Sequence, residues 1–588
     1  MRRYIEKFLI LAGILSTVSF KAVYAITGTS DDVVREFERR RFETEKRLRE
    51  KERLEIERNK EEKEKTEESK TLVRDETGFF IKEIIIENSE QIHQWEKSEL
   101  IKPYINREIG INDITILVQN ITNRLIEKGY ITTRVKVPLD QNLKSGVLRL
   151  TIIKGYIGSI KPEKNTFCNR MQVFTAFPFL EGSLLNVEDL DYGVEQMNSL
   201  RSNNATMKVL PGNELGTSDI VVINEQGNRF SLDIGYDNLG QKATGEYRGK
   251  VSTGFDNLLC INDSISADYT RTLNSDTDRK YNRSWSLNYS FPFGYWTFAY
   301  IYSKSEYMQY VEGLNRDFKS SGNDTSNIFS IVRMLGRINY NRFKARASLT
   351  LKDKKSYIED ALVDVSSRKL TIAKGGLDYT TFLFGGYFSA SVYYHQGLKY
   401  FDAYKDDGDM SADTPRAQFK KYEMSLLWNK PLSFFGQNFG YFFSFSGQWA
   451  PDALYSSEKI SIGDMNTVRG LKDSSITGDR GFYIRNDFSA FDFSRLWEPL
   501  KGVKCFVAYD YGYTVDSVGR DANAGTGEGS IMGWATGLSY SSEIVNMNIT
   551  YARQLFTPWF VEKEDYVVYF AATMSLTGLF DKAWNAFK

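Results

Sequence analysis

The chain has 588 residues, with 76 lysines and arginines balanced by 76 aspartates and glutamates, and draws 14% of its residues from Phe, Trp and Tyr. That length exceeds one ordinary soluble domain, and zero net charge argues against nucleic acid as a main partner. With His93 and His395 as the only histidines, the sequence argues against a histidine metal cluster and no catalytic constellation is predicted, so no cofactor, metal or catalytic residue is assigned.

Arg2 and Arg3 precede the apolar run Phe8–Leu15, and Val23-Tyr24-Ala25 follows with small residues suited to cleavage. Residues 1–25 therefore predict a secretory signal peptide. No later apolar stretch is long enough to span a bilayer as a helix, which leaves a soluble exported protein or an outer-membrane barrel. Residues 26–77 are dominated by charge. The pairs Glu36–Arg40, Glu43–Arg47 and Glu45–Arg49 favour a helix, which gives way to a solvated linker from about Arg58. At about 1.5 Å per residue, a helix over Asp31–Arg53 is about as long as a hydrocarbon core is thick, and Leu54–Glu76 follows as linker.

From Phe79 the texture becomes globular. Phe80–Glu87 predicts a strand. A helix capped by Asn112 or Asp113 carries Ile114, Leu117, Val118, Ile121 and Leu125 on one face and ends at Gly129. Thr132–Val137 and Val147–Lys154 predict two more strands. The pattern then recurs: strand Tyr156–Ile160, helix Phe167–Phe177, a second helix after Asn186, and strands Thr206–Leu210 and Ser218–Asn224. This is a tandem pair of small α+β units, over residues 78–154 and 155–227.

Residues 228–588 alternate aromatic and polar side chains. Trp285, Leu287 and Tyr289 alternate with Ser286 and Asn288; a turn is predicted at Pro292-Phe293-Gly294; Trp296, Phe298, Tyr300 and Tyr302 then alternate again. Such dyads mark a transmembrane β-barrel, and about 360 residues at roughly 22 per strand and connection give about sixteen strands. The cysteines Cys168, Cys260 and Cys505 are far apart and read as free or buried thiols.

Within the barrel region, Thr467-Val468-Arg469-Gly470 forms a polar loop bearing one arginine. Downstream, the period of two places Val507, Tyr509, Tyr511 and Tyr513 on one face of a strand, and Phe506, Ala508, Asp510 and Gly512 on the other. A carboxylate on a luminal face needs a partner, and an arginine fork supplies one. The prediction is that the loop folds into the barrel and Arg469 meets Asp510, with Arg485 and Asp487 as competing partners. Gly512 is expected to leave open space beside Asp510.

Gly129-Tyr130-Ile131-Thr132-Thr133-Arg134 through Pro138, with Ser145-Gly146-Val147-Leu148-Arg149-Leu150, resembles the first POTRA domain of two-partner secretion transporters. Leu185-Asn186, Ser202–Met207, Leu210-Pro211-Gly212 and Gly216–Ile220 resemble the second. Tyr236-Asp237-Asn238 and Asp256-Asn257 resemble the first barrel strands, and Val468-Arg469-Gly470 and Phe506-x-x-x-Asp510-x-Gly512 resemble the family's two barrel motifs. The resemblance covers nearly everything after Phe79. It implies a mainly β protein: a sixteen-stranded outer-membrane barrel, two periplasmic POTRA domains and an N-terminal plug helix. It also implies export of one large exoprotein of adhesin, haemolysin or contact-dependent toxin type, with outer-membrane lipid and the barrel assembly machinery as further partners. The sequence departs from the family pattern at Leu471, where an aromatic is usual, at Asp464, where a second glycine is common, and at Asp581–Lys588, beyond the last aromatic strand end at Phe580.

An unfolded exoprotein offers unpaired backbone groups, which exposed strand edges can bind. The candidate edges are Thr132, Thr133, Arg134 and Val135 in the first unit and Thr206, Met207, Lys208 and Val209 in the second. The competing reading from the same superfamily is a barrel-assembly insertase. A barrel hydrolase is the remote third, with His395 its only barrel histidine.

Overall fold

The computed structural model describes residues 78–578 except 274–275, 277, 312–315, 339–340, 435–436, 492, 494–496, 501 and 517–527. The expected signal peptide, the charged helix and linker of residues 26–77, and the chain end with Phe580 and Asp581–Lys588 lie outside the described residues.

The first unit runs β1 (Phe79–Ile81), β2 (Glu83–Glu87), α1 (Gln94–Ile101), β3 (Arg107–Ile109), α2 (Ile111–Glu127), β4 (Arg134–Lys136) and β5 (Val147–Ile153). The single strand expected at Phe80–Glu87 is in fact two. β1 leaves the main sheet to pair with β3, while β2 runs parallel to β5. The α2 stripe Ile114, Leu117, Ile121 and Leu125 is buried with Leu148, Leu150 and Ile152 of β5. Gly110 occupies the N-cap of α2, and the Asp113 carboxylate accepts the Gly110 N–H from inside the first turn. The helix thus begins two to three residues before the expected cap, and Asp113 caps it from the N3 position of its first turn.

The second unit is β6 (Tyr156–Pro162), α3 (Phe167–Ala176), α4 (Val187–Asn198), β7 (Asn203–Pro211) and β8 (Thr217–Gln226). Thr166 and Asn186 cap α3 and α4 through their side chains. The strand order is β2-β5-β4 in the first sheet and β6-β8-β7 in the second. Asn186 Nδ2 donates to Lys128 O, and the Val187 N–H to Gly129 O, which joins the units end to end.

After Gln226 the chain enters a closed antiparallel barrel of sixteen strands among the described residues, from Phe230–Asp237 to Val567–Ser575, which pair with each other to seal it. Alternation explains the wall. In the Tyr281–Phe293 strand, Ser284, Ser286 and Asn288 are buried on the luminal side, while Trp285, Leu287 and Tyr289 share the outer face. The turn expected at Pro292-Phe293-Gly294 lies one residue later. Phe293 still pairs with Trp296, so Gly294 and Tyr295 make the reversal.

The cysteines correct the sequence reading. Cys168 on α3 and Cys260 in the turn between the second and third barrel strands form a disulfide, and Cys505 is free. A separation of 92 residues across two domains left no local signature of this bridge. Only the docking of α3 on the barrel rim brings the two side chains together.

Candidate functional site

The 450–479 connection does not stay outside the barrel. Its short hairpin Ile460–Ile462 with Ile476–Gly478 packs against wall strands, and Ile460, Ile462, Val468, Leu471, Ile476, Ile531 and Val561 form one apolar cluster. Burial of these side chains holds the loop inside the lumen and leaves Arg469 only 1% exposed.

Arg469 meets the wall at two carboxylates. Its Nε donates to Asp510 Oδ2 at 2.6 Å and its Nη2 to Asp510 Oδ1 at 2.6 Å, a two-pronged contact; the Arg469 backbone N–H adds a bond to Oδ2 at 3.1 Å. Asp510 is fully buried. Asp487, on the neighbouring strand, accepts from the same Nη2. It therefore shares the cation with Asp510 and does not displace it. Arg485 instead donates to Asn466 O at 2.7 Å, tying the loop backbone to the wall. The guanidinium carbon also lies 5.8 Å from the Phe506 ring centroid, within the range of a cation–π contact.

Two glycines set the fit. Gly470 has φ +114°, and an added Cβ would lie 2.5 Å from Gln554 N. The loop therefore passes the wall at a distance that only glycine permits. The space expected beside Gly512 is filled: a Cβ there would sit 2.7 Å from Ile462 Cγ2 and 2.9 Å from Val468 Cγ2. Val468 thus plugs into the wall over Gly512 while Arg469 pairs two residues away.

The two departures within the loop have structural roles. Leu471 is fully buried in the apolar cluster, and its carbonyl accepts from Tyr569 Oη at 2.5 Å. Asp464 accepts the N–H groups of Asn466 and Thr467, each at 2.7 Å, and so forms the turn ahead of Val468. Tyr569 was not singled out by sequence; its luminal parity in the last strand was the available signal.

Elsewhere in the lumen, Lys352 and Lys421 share the buried Glu458 at 2.7 and 3.3 Å. His395 contacts Glu423 at 2.9 Å. The main latch, then, is a cation with two carboxylates on a packed loop. Such a shielded ion pair is suited to fixing one position of the loop.

In the two α+β units the candidate edge residues separate. Arg134 and Val135 lie on β4, the edge of its sheet, but Thr132 and Thr133 precede that strand. Thr133 is 1% exposed and its Oγ1 accepts from Gly155 N, so the turn into the second unit holds it away from any edge. Thr206, Met207, Lys208 and Val209 all lie on β7, the edge of the second sheet.

The family model described as haemolysin secretion/activation protein ShlB/FhaC/HecB matches residues 216–540. A ShlB-type POTRA model matches 79–155, and a further POTRA model matches 156–211. The outer membrane transporter CdiB of Dickeya dadantii (strain 3937) is 31% identical over 505 residues, covering 84% of this chain and 86% of the relative. The hemolysin transporter protein ShlB of Serratia marcescens is 30% identical over 381 residues, covering 65% and 67%. The structure of CdiB from Escherichia coli superimposes with a TM-score of 0.78 at 26% identity, over 91% of this chain and 98% of that one.

Proposed function

The chain belongs to the ShlB/FhaC/HecB family of haemolysin secretion/activation proteins, and from that premise we propose how its parts divide the work of exporting a partner exoprotein. It is an outer-membrane transporter of the two-partner secretion type, with its POTRA domains in the periplasm. The exoprotein, of adhesin, haemolysin or contact-dependent toxin type, is captured in the periplasm by edge pairing along β4 and β7. It then passes through the barrel and emerges at the cell surface. The protein performs no covalent chemistry. Outer-membrane lipid surrounds the wall, and the barrel assembly machinery inserts it.

The single observation that carries this division is the Arg469 loop, folded into the lumen of a closed barrel and fastened to Asp510 and Asp487. A pore with such an obstacle needs a defined loop position for passage, and a shielded ion pair is better suited to fixing one arrangement than to adding stability. In this reading the charged Asp31–Arg53 segment, which lies outside the described residues, fills the resting pore, and its deletion is expected to raise single-channel conductance in planar bilayers.

The deciding experiment co-expresses this chain with a candidate large exoprotein, sought first in the neighbouring reading frames, and measures that exoprotein in the medium. Export that depends on this chain, and fails on Val135→Pro or Lys208→Pro while the barrel still assembles, supports capture at the edges. Normal export by both variants removes the edges from the reading. Intact export together with a general loss of other barrel proteins on depletion would instead favour an insertase.

A further inference from the structure

The second POTRA domain does not hang free below the barrel. Cys168, Gln172 and Thr175 occupy one side of α3 at helical spacing, and each engages a periplasmic turn. Cys168 bridges to Cys260, Gln172 O accepts from Asn262 Nδ2 at 2.8 Å, and Thr175 O accepts the Gly294 N–H at 2.8 Å. On the barrel side, Arg342 pairs with Glu195 and Arg337 with Glu188. These contacts fix the domain's roll against the rim.

That roll turns an apolar surface towards the outside of the wall. Phe174 and Phe179 are 47% and 82% exposed, and both rings meet Phe293 edge-on, at centroid distances of 5.9 and 6.2 Å. Phe293 shares the outer, aromatic face of its strand with Trp285, Tyr289 and Phe291, so it belongs to the face that a bilayer covers. Its strand partner Trp296 carries Arg333 over the ring at 4.9 Å. An aromatic ring with a long cationic side chain laid over it, at the end of an apolar wall, is the side-chain arrangement of a membrane–water interface. Phe174 and Phe179 touch the barrel at that level and on that side, yet they project from the periplasmic domain. Phe179 holds φ +62°, a left-handed conformation unusual for a bulky residue, and its ring is largely exposed.

We infer that the second POTRA domain is seated in the periplasmic leaflet of the outer membrane, with Phe174 and Phe179 extending the barrel's aromatic girdle onto the domain and inserting at the phospholipid headgroup–acyl boundary. The occupant is lipid because the patch is continuous with the lipid-facing wall through Phe293; an exoprotein segment passing into the lumen would meet the inner face. The inference rests on the outer-membrane reading of the barrel. Its consequence is that this domain stays fixed during export, so that motion in the periplasmic arm falls at the junction between the two POTRA domains.

The test uses the full chain reconstituted in phosphatidylethanolamine–phosphatidylglycerol vesicles, with Cys505→Ser removing the free thiol. A nitroxide is attached at Phe179→Cys or, as a control, at Leu215→Cys, which is fully exposed on the β7–β8 hairpin at the far end of the domain. Non-reducing gels confirm the intact disulfide, and heat-modifiability confirms the inserted barrel, so failure of the barrel reading is seen separately. The expected result is a label at 179 relaxed several-fold more by oxygen than by a water-soluble nickel chelate, with the reverse at 215. Equal nickel access at the two positions overturns the inference. So does a label at 179 that stays nickel-accessible in vesicles and is immobilised only by exoprotein, which would assign the patch to the substrate.

Discussion

Removing the Arg469 side chain tests the latch most directly. Arg469→Ala leaves Asp510, fully buried, and Asp487 facing each other without their shared cation. Breaking a buried ion pair by deleting one partner costs about 3–5 kcal/mol. Against this stand Ile462, Val468, Leu471 and Ile476, each at most 5% exposed. At about 1.5–3 kcal/mol per buried apolar side chain, they contribute roughly 6–12 kcal/mol to seating the loop. The apolar term is the larger, so the loop stays inside the barrel on average. Its opening equilibrium rises by about a hundred- to several-thousand-fold, since each 1.4 kcal/mol is tenfold. The assay is maleimide labelling of Val468→Cys in a Cys505→Ser background on whole cells, alongside exoprotein in the medium. Arg469→Ala and Asp510→Ala are expected to insert normally, remain heat-modifiable, label faster and secrete poorly. Exchanging the charges, Arg469→Asp with Asp510→Arg, places the new carboxylate against Asp487, so only partial recovery is expected; adding Asp487→Asn should improve it. Normal secretion by the single variants, or no gain from Asp487→Asn, would refute the reasoning.

Further outcomes can be measured independently. Cys168→Ser and Cys260→Ser should each abolish the mobility difference between reduced and non-reduced gels and loosen the domain–barrel joint; in the chain-entropy account, closing a loop of 92 residues is worth about 4–5 kcal/mol. Lower protection of α3 amides in hydrogen exchange checks this. Burial pushes the Glu96 carboxyl up, but Lys128, the His93 N–H and Arg124 outweigh it and hold its pKa below the ordinary 4.5. The sign follows: the unfolded chain takes up the proton first, so this stabilisation is complete above about pH 4.5 and is lost as pH falls through the lower folded value. Protection of α2 should therefore drop on acidification, and Glu96→Gln should flatten that dependence. Val468→Ser keeps the latch residues but places a hydroxyl in the apolar cluster over Gly512; it should raise labelling of a Met465→Cys probe without affecting barrel insertion.

Much of this molecule is written in short-range pattern. The period of two alone separated luminal Ala508 and Asp510 from outward Val507 and Tyr509, because a pleated strand has no other choice. The α2 stripe and the start of a helix after Asn186 were equally legible, since their causes lie within a few residues. The meeting of Arg469 with Asp510 was foreseen as chemistry, a buried carboxylate requiring a fork; its geometry was not. Only the tertiary structure placed Asp487 on the same guanidinium, filled the space over Gly512 with Val468, and turned Thr133 into a buried junction residue. These outcomes depend on which strands become neighbours and how closely a loop approaches the wall. The Cys168–Cys260 bridge and the Phe174–Phe179–Phe293 cluster follow the same logic. Each joins one domain to another across a long stretch of sequence, and their proximity was decided when the second POTRA domain docked on the barrel rim.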